Sequence, residues 1–561
     1  MFPPALLHIG ELMKRDDKKI PRLLVPVLYV LGVAFFCALP VAAQQATGGV
    51  QVLTSSVEND PLAFDVSPPL RDLVAEPVPA GSFNRPVLRP KLQQMMAAPQ
   101  QGVSAALPSF PGPKIGAIIP LNFDGVGAPN SCNCAPPDTN MAVGDTQVVQ
   151  WVNTSYAVYD KTTGVLLGGP FPGNHFFAGM KSTCAVANAG DPIIQWDKTN
   201  HVWLATQNVF GPYLACIAVS QTADALGSYN RYAFPLGGFP DYVKWGLTPN
   251  VYYQTQNDFG FNDGFRGVNV CAYEADKMRL GRKKAKQVCI LDSSNGTLFD
   301  DSMLPADLDS IPPAGAAPAP EVLLGSIDNP GFNNAVYEYV FTVSFGAHPT
   351  ATLAGVNGTM PIPVGTFNMA CGGFGACIKQ PSAGSELLDS LGDRLMYRLA
   401  RSDDGTTQHF LVTHSVNNTT ATAARWYEFT APSGSTVLSL AQTGETADDG
   451  HYRWMGSVAR DKNGNIALGY SRSSSAALDY PSLYLSGQTA GEPSGTTDAE
   501  SLIFQGLGSQ FSTANRWGDY SSMALDGADR CSFWYTTEYY KVDGSFAWST
   551  RIAEIKFPGC L

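Results

Sequence analysis

The stretch Asn515–Tyr540, NRWGDYSSMALDGADRCSFWYTTEYY, reads as two short strands and the turn between them. Asp519 opens a run of small residues to Leu525, Asp526–Arg530 supplies the turn, and an aromatic and β-branched run, Cys531–Tyr540, leaves it. The same grammar recurs upstream at a fixed spacing. Asp526 precedes Tyr535 by nine positions, Asp461 precedes Tyr470 by nine and Asp197 precedes Thr206 by nine, each pair bracketing an apolar strand: CSFWY, IALGY and VWLAT. Ahead of the turn most copies carry an acidic residue: Asp138, Asp191, Asp241, Asp393 and Asp519. With further copies from Glu321 and Tyr452, the starts fall near 138, 191, 241, 321, 393, 452 and 519.

Self-similarity at long period among short strands points to a propeller. The expected fold is all-β: a single β-propeller of seven blades, each of four antiparallel strands, with six or eight blades as the alternatives. Composition agrees, since 55 Gly and 41 Pro punctuate the apolar runs and only 15% of residues are charged. Glu274–Lys286 and Ser385–Leu391 are the helix-like windows, placed as short helices or loops between strands. An open ring exposes two sheet edges. Lys114–Phe123 is the segment expected to close it, as the outer strand of the last blade beside Phe546–Phe557.

Three regions follow. Residues 1–43 read as a signal peptide, with a basic stretch at Lys14–Arg22, an apolar run at Leu23–Leu39 and small residues at Val41-Ala42-Ala43 before Gln44; Met13 is an alternative start. Residues 44–113 read as a Pro/Ala/Gln-rich linker, extended and mostly unpacked, because no period of 2 or 3.6 is sustained there. Residues 114–561 are the propeller. A secreted or periplasmic location is implied, with membrane attachment only if the signal segment stays uncleaved.

Eleven cysteines become ten when the signal is removed, an even set that favours disulfides in an exported protein. The pairs expected are Cys531 with Cys560, Cys184 with Cys216, and Cys371 with Cys377. A net charge of −12 excludes general nucleic-acid binding.

In a propeller the innermost strands begin around a central channel, so Asp138, Asp191, Asp241, Asp393 and Asp519 are expected to converge there. Two readings follow: a Ca²⁺ or ligand site built of carboxylates, or Asp side chains that accept backbone N–H bonds from their own or the adjacent blade. Arg394, Arg453 and Arg516 stand beside inner-strand starts. Guanidinium forks bind carboxylates bidentately, so three of them converging beside Asp138, Asp191 and Tyr520 suit an anionic sugar. That constellation resembles the sialidase superfamily, which implies an arginine triad, a Tyr nucleophile and an Asp acid/base. The chain departs from that family's S-x-D-x-G-x-x-W box, since ARDKNGNIAL sets its Asp and Gly one position too far apart.

From Gly116 to Cys560 the chain also resembles a group of large secreted bacterial proteins of uncharacterised function. The resemblance is carried by PPDTNMAVGDTQVVQWVN, GDPIIQWD, RYAFPLGGFPDYVKWG, SLGDRLMYRL, HYRWMGSVARDKNGNIALGYS and RWGDYSSMALDGADRCSFWYTTEYY. It implies a secreted propeller and no particular activity. The reading reached is an extracellular binding or scaffolding module for a glycan or protein. The alternative is a glycan-active enzyme, a sialidase-like glycosidase or polysaccharide lyase, with its site at the channel mouth. A third reading has Tyr539 and Tyr540 exposed as an assembly face.

Overall fold

The first strands of seven successive sheets touch one another in cyclic order, the last against the first, which is the defining closure of a propeller. The computed structural model describes residues 49–74, 82–84 and 111–560, apart from 129–130, 132, 261–263, 294–299, 312–318, 327–332, 374, 383–384 and 512–514. The innermost strands are Thr139–Val143, Ile193–Asp197, Phe239–Leu247, Leu304–Leu308, Leu395–Asp403, Tyr452–Arg460 and Ser522–Leu525, which begin blades 1 to 7. Within each blade the strands pair antiparallel with their sequence neighbours. The innermost strands are almost continuously buried, as expected where both faces of a sheet pack on adjoining blades. Innermost strands of blades 4 and 5 also pair in parallel, Ala306–Leu308 with Leu399–Arg401, fusing two blades into one ten-stranded sheet.

Six of the seven expected starts coincide with an innermost strand, and the fourth does not. Blade 4 begins at Leu304, and Glu321–Gly325 is its second strand. Pro305 inside the first strand and the Pro-rich run after it disguised that strand as loop. The helix-like window at 274 contains a five-residue helix, Ala275–Arg279, whereas the one at 385 holds a two-residue strand, Leu388–Asp389.

Closure comes from the N-terminal side as expected. Asn122–Asp124 pairs antiparallel with Trp548–Lys556, with Phe123 opposite Ile552, and Ile118 bridges to Lys556. Tyr539 and Tyr540 are buried rather than exposed, the first donating to Asp124 Oδ1 of the closing strand (2.8 Å) and the second to Gln510 Oε1 (2.9 Å). They are core, not an assembly face.

The linker reading fails between residues 52 and 72. Val52–Leu53, Val57–Asn59 and Ala63–Val66 add outer strands to blades 4, 3 and 2 in turn, and a 3-10 turn at Leu70–Asp72 buries Leu70. Ion pairs pin this strap: Lys286 with Glu58 and Asp60 (2.5 and 2.9 Å), and Arg231 with Asp65 (2.6 Å). Such short edge strands need no periodicity of their own, because the blades supply the template. The signal segment lies outside the described residues.

Among the described residues four disulfides have both partners placed: Cys184–Cys216, Cys371–Cys377, Cys531–Cys560 and Cys271–Cys289. The first three are the expected pairs. The fourth joins residues directly opposite on neighbouring strands of blade 3. Cys134 is disulfide-bonded as well.

Candidate functional site

Near the start of every innermost strand stands one residue in the left-handed region: Asp138 (φ 50°), Asp191 (48°), Tyr242 (52°), Ser302 (48°), Leu391 (43°), Met455 (54°) and Asp519 (58°). The conserved element of the repeat is thus a backbone kink. Asp tolerates this conformation better than most residues because its short side chain bonds locally. Three of the five expected aspartates occupy the kink; Asp241 precedes it by one position and Asp393 follows it by two, so the five are not equivalent.

The kinks at Asp138, Asp191 and Asp519 tie neighbouring blades together, whereas Leu391 and Met455 are buried in the hydrophobic core. Asp138 is buried, its N–H donates to Gly518 O across the junction of blades 1 and 7 (3.0 Å), and its Oδ2 accepts from Asn153 Nδ2 (2.6 Å). Its Oδ1 is enclosed without a hydrogen-bond partner. Asp191 Oδ2 accepts from Tyr242 N of the next blade (3.2 Å). Asp519 receives the Arg516 guanidinium. Asp191, Asp241 and Asp519 remain partly exposed.

Beneath them lies Lys244, fully buried, a residue the sequence reading passed over. Its Nζ sits 3.7 Å from the Tyr242 ring centroid and 4.0 Å from that of Tyr520, and donates to Val243 O (3.1 Å). Tyr520 packs on Tyr397 (centroids 5.6 Å apart) and donates to Pro192 O (3.2 Å). The available signal was the charged residue inside the apolar run YVKWGL, since a lysine is almost never fully buried unless paired.

Burial, followed by Asp191 and Asp519, pushes the Asp138 carboxyl well above the usual range, with Arg516 and Lys244 opposing. Burial and then Asp191 push Asp241 up to about 7. Burial pulls Lys244 down to about 8 against the pull of Asp191, Asp138, Asp519 and Asp241. Burial also holds Glu538, another neighbour of Asp519, well above its usual value. The cluster is therefore one electrostatic unit in which carboxylates of four blades share a buried ammonium and a guanidinium. Among the described residues no three His, Cys, Asp or Glu side chains are gathered so as to hold a metal ion.

The arginines do not form a triad. Arg394 is buried and forks onto its neighbour Asp393 (3.0 and 2.8 Å), with its Cζ 4.6 Å from the Tyr242 ring centroid at the margin of the site. Arg516 is taken up by Asp519. Arg453 is held in a separate ion network of blade 6, bonded to Asp449 (2.8 Å) and Glu500 (2.9 Å), with Arg472 also on Glu500. Three nearby arginines in sequence register become three ion pairs because each blade start also brings its own carboxylate.

No protein-family model matches the chain, and no curated protein matches it. Similar solved structures include extracellular domains 1–2 of Drosophila semaphorin 1b (TM-score 0.36, 7% identity, covering 79% of this chain and 87% of that one). Others are a subtype N11 neuraminidase-like protein of A/flat-faced bat/Peru/033/2010 (0.32, 10%, 70% and 100%) and the endo-arabinase of Bacteroides thetaiotaomicron (0.25, 13%, 56% and 93%). The fold rests on the strand topology above, and no residue role is taken from these proteins.

Proposed function

We propose that this protein is an extracellular binding module whose ligand sits at the channel mouth. The observation that carries the reading is the set of partly exposed carboxylates, Asp191, Asp241 and Asp519, presented by three blades above the buried Lys244. Ligand sites are concave and place a few polar groups convergently, and here the convergent groups are acceptors. The arginines that an anionic sugar requires are already committed to Asp393, Asp519, Asp449 and Glu500. Four disulfides and the signal-like segment support an extracellular setting.

The test is a thermal-shift screen of the mature protein against oligosaccharides, Ca²⁺ and EDTA, repeated on Asp191→Asn/Asp519→Asn. A ligand that raises Tm in the wild type and not in the double variant supports the reading; a shift that survives the double substitution overturns it. EDTA is expected to leave Tm unchanged. A fall restored by Ca²⁺ would instead assign the carboxylates to a metal.

A glycan-active enzyme is the second reading, and one observation favours it: Asp241, with its carboxyl near 7, suits proton transfer at neutral pH. Release of reducing ends or unsaturated sugars from a polysaccharide panel, lost in Asp241→Asn, would establish it.

A further inference from the structure

The far end of the channel, where the innermost strands of blades 4 to 7 finish, opens into a cleft of about 410 Å³. Asp309 follows the blade 4 strand, Asp403 and Arg460 end those of blades 5 and 6, and Leu525 ends that of blade 7. All four line the cleft, together with Lys462 and Arg530 from the turns that follow the last two strands. The floor is balanced by itself. Asp309 pairs with Lys198 (3.1 Å) and with Arg398, which also holds Asp307 (2.8 Å).

The carboxylates of the walls hold their own turns. Asp403 accepts from Gly405 N (2.9 Å) and Ser433 Oγ (2.8 Å), Asp404 from Thr406 N and Thr407 N (2.9 and 2.8 Å), and Asp461 from Asn463 N and Asn465 N (2.9 and 2.8 Å). The donors are less committed. Arg530 is partly buried, and among the described residues its guanidinium has no carboxylate partner and no hydrogen-bond acceptor. Every other described arginine that is buried or partly buried has an acidic or amide partner. Lys462 Nζ donates to one carbonyl, Asp529 O (3.1 Å), and Ser402 Oγ in the blade 5 wall is enclosed without a partner. A guanidinium drawn partly out of water without an acceptor loses solvation that nothing in the fold returns.

We propose that this cleft binds an α-amino carboxylate, a free amino acid or the C-terminal end of a peptide, with its carboxylate on Arg530 and Lys462 and its N–H groups toward Asp403 and Asp404. The site is separate from the channel mouth and does not depend on the reading given for it. A guanidinium fork matches a carboxylate with two parallel hydrogen bonds. The opposite wall supplies acceptors: the Asp404 side chain is 51% exposed, and a carboxylate that caps a turn keeps lone pairs beyond those the backbone uses. Charge selects among oxyanions. Asp403, Asp404 and Asp461 balance Arg460, Lys462 and Arg530 one for one, so a monoanion meets a neutral cleft, whereas a phosphate dianion faces three carboxylates without a surplus of cations. The volume suits a small ligand.

The experiment is a calorimetric titration of the mature protein with tetra-alanine, tetra-alanine amide, free alanine and inorganic phosphate, using wild type, Arg530→Asn, Arg530→Lys and Arg282→Ala. Arg530 has φ 54°, a conformation Asn tolerates, and the unliganded Tm shows that each variant is folded. Expected are binding of a free α-carboxylate and none of the amide. Arg530→Asn should lose roughly tenfold in affinity, the worth of one charge-assisted hydrogen bond, and Arg530→Lys less. Arg282→Ala, which removes an exposed guanidinium elsewhere, should change nothing. Binding of tetra-alanine without binding of alanine assigns the chain end, and equal binding assigns the amino acid. Binding of the amide as tightly as the acid overturns the inference, as does tighter binding of phosphate. So do unchanged affinity in folded Arg530→Asn and a failure of both tetra-alanine and alanine to bind.

Discussion

Lys244 sits where solvent is absent and where four carboxylates and three tyrosines face it, and this single placement sets the behaviour of its neighbours. Its ammonium is disfavoured by burial, so its contribution to stability is present above its ordinary value of 10.5 and is lost as pH falls through 8. Asp241 runs the other way. With its carboxyl raised from 3.8 to about 7, its contribution is complete below 3.8 and is lost as pH rises through 7. Asp241→Asn mimics the protonated form that the fold prefers. The difference in Tm between variant and wild type should therefore move in the variant's favour as pH rises from 4 to 7. Calorimetry across that range checks it, and a difference that stays flat would show that Asp241 does not titrate within the cluster. At this scale the sequence was only partly legible. Asp138, Asp191, Asp519, Arg516 and Tyr520 were visible because they recur with the repeat or flank it. Lys244 occurs in one blade alone, and no periodicity marks a residue that the other blades lack.

Hairpins are the elements on which the reading succeeded, and their turns show why. Asp197 Oδ1 accepts from Thr199 N and Asn200 N (3.1 and 2.9 Å), and Asp461 Oδ1 accepts from Asn463 N and Asn465 N (2.9 and 2.8 Å). Asp526 Oδ1 does the same for Ala528 N (2.9 Å). These local bonds require an Asp at one position, so the spacing of nine to the next strand survives sequence divergence around it. Pairing that depends on register between strands was harder to see. Cys271 and Cys289 are opposite one another in the pairing of the third strand of blade 3 with the fourth, which returns after a short helix. Replacing both by Ser should cost about 3 kcal/mol by the loop-entropy estimate for a closed loop of 18 residues. Chemical denaturation with intact and doubly substituted protein measures it; equal midpoints would show that the cross-strand pairing alone sets the register.

The whole ring was legible because a propeller announces itself through repetition, and its closure was legible because an uncapped edge had to be covered. What the sequence did not reveal is the strap. Val52–Leu53, Val57–Asn59 and Ala63–Val66 have no pattern of their own, and they are strands only because blades 4, 3 and 2 offer them unpaired edges. Deleting residues 49–72 should lower Tm and leave the blades folded, since each blade keeps four strands, and it should make the protein self-associate through the uncovered edges. Light scattering with circular dichroism tests both outcomes; loss of the β signal would mean that the strap is needed for the ring itself.

The strap and the closing strand also order events in time. A ribosome delivers residues 50–66 first, before any of the edges they will cover has been made. Asp124 must then wait for Arg551, 427 positions later, before the two can pair. The strap finds its edges once blades 2 to 4 are made, but until the final strand emerges the closing strand has nothing to fasten. Proteins whose contacts span the chain fold slowly, so the interval between synthesis of the first blade and arrival of the last is when this molecule is most open to protease and to other copies of itself.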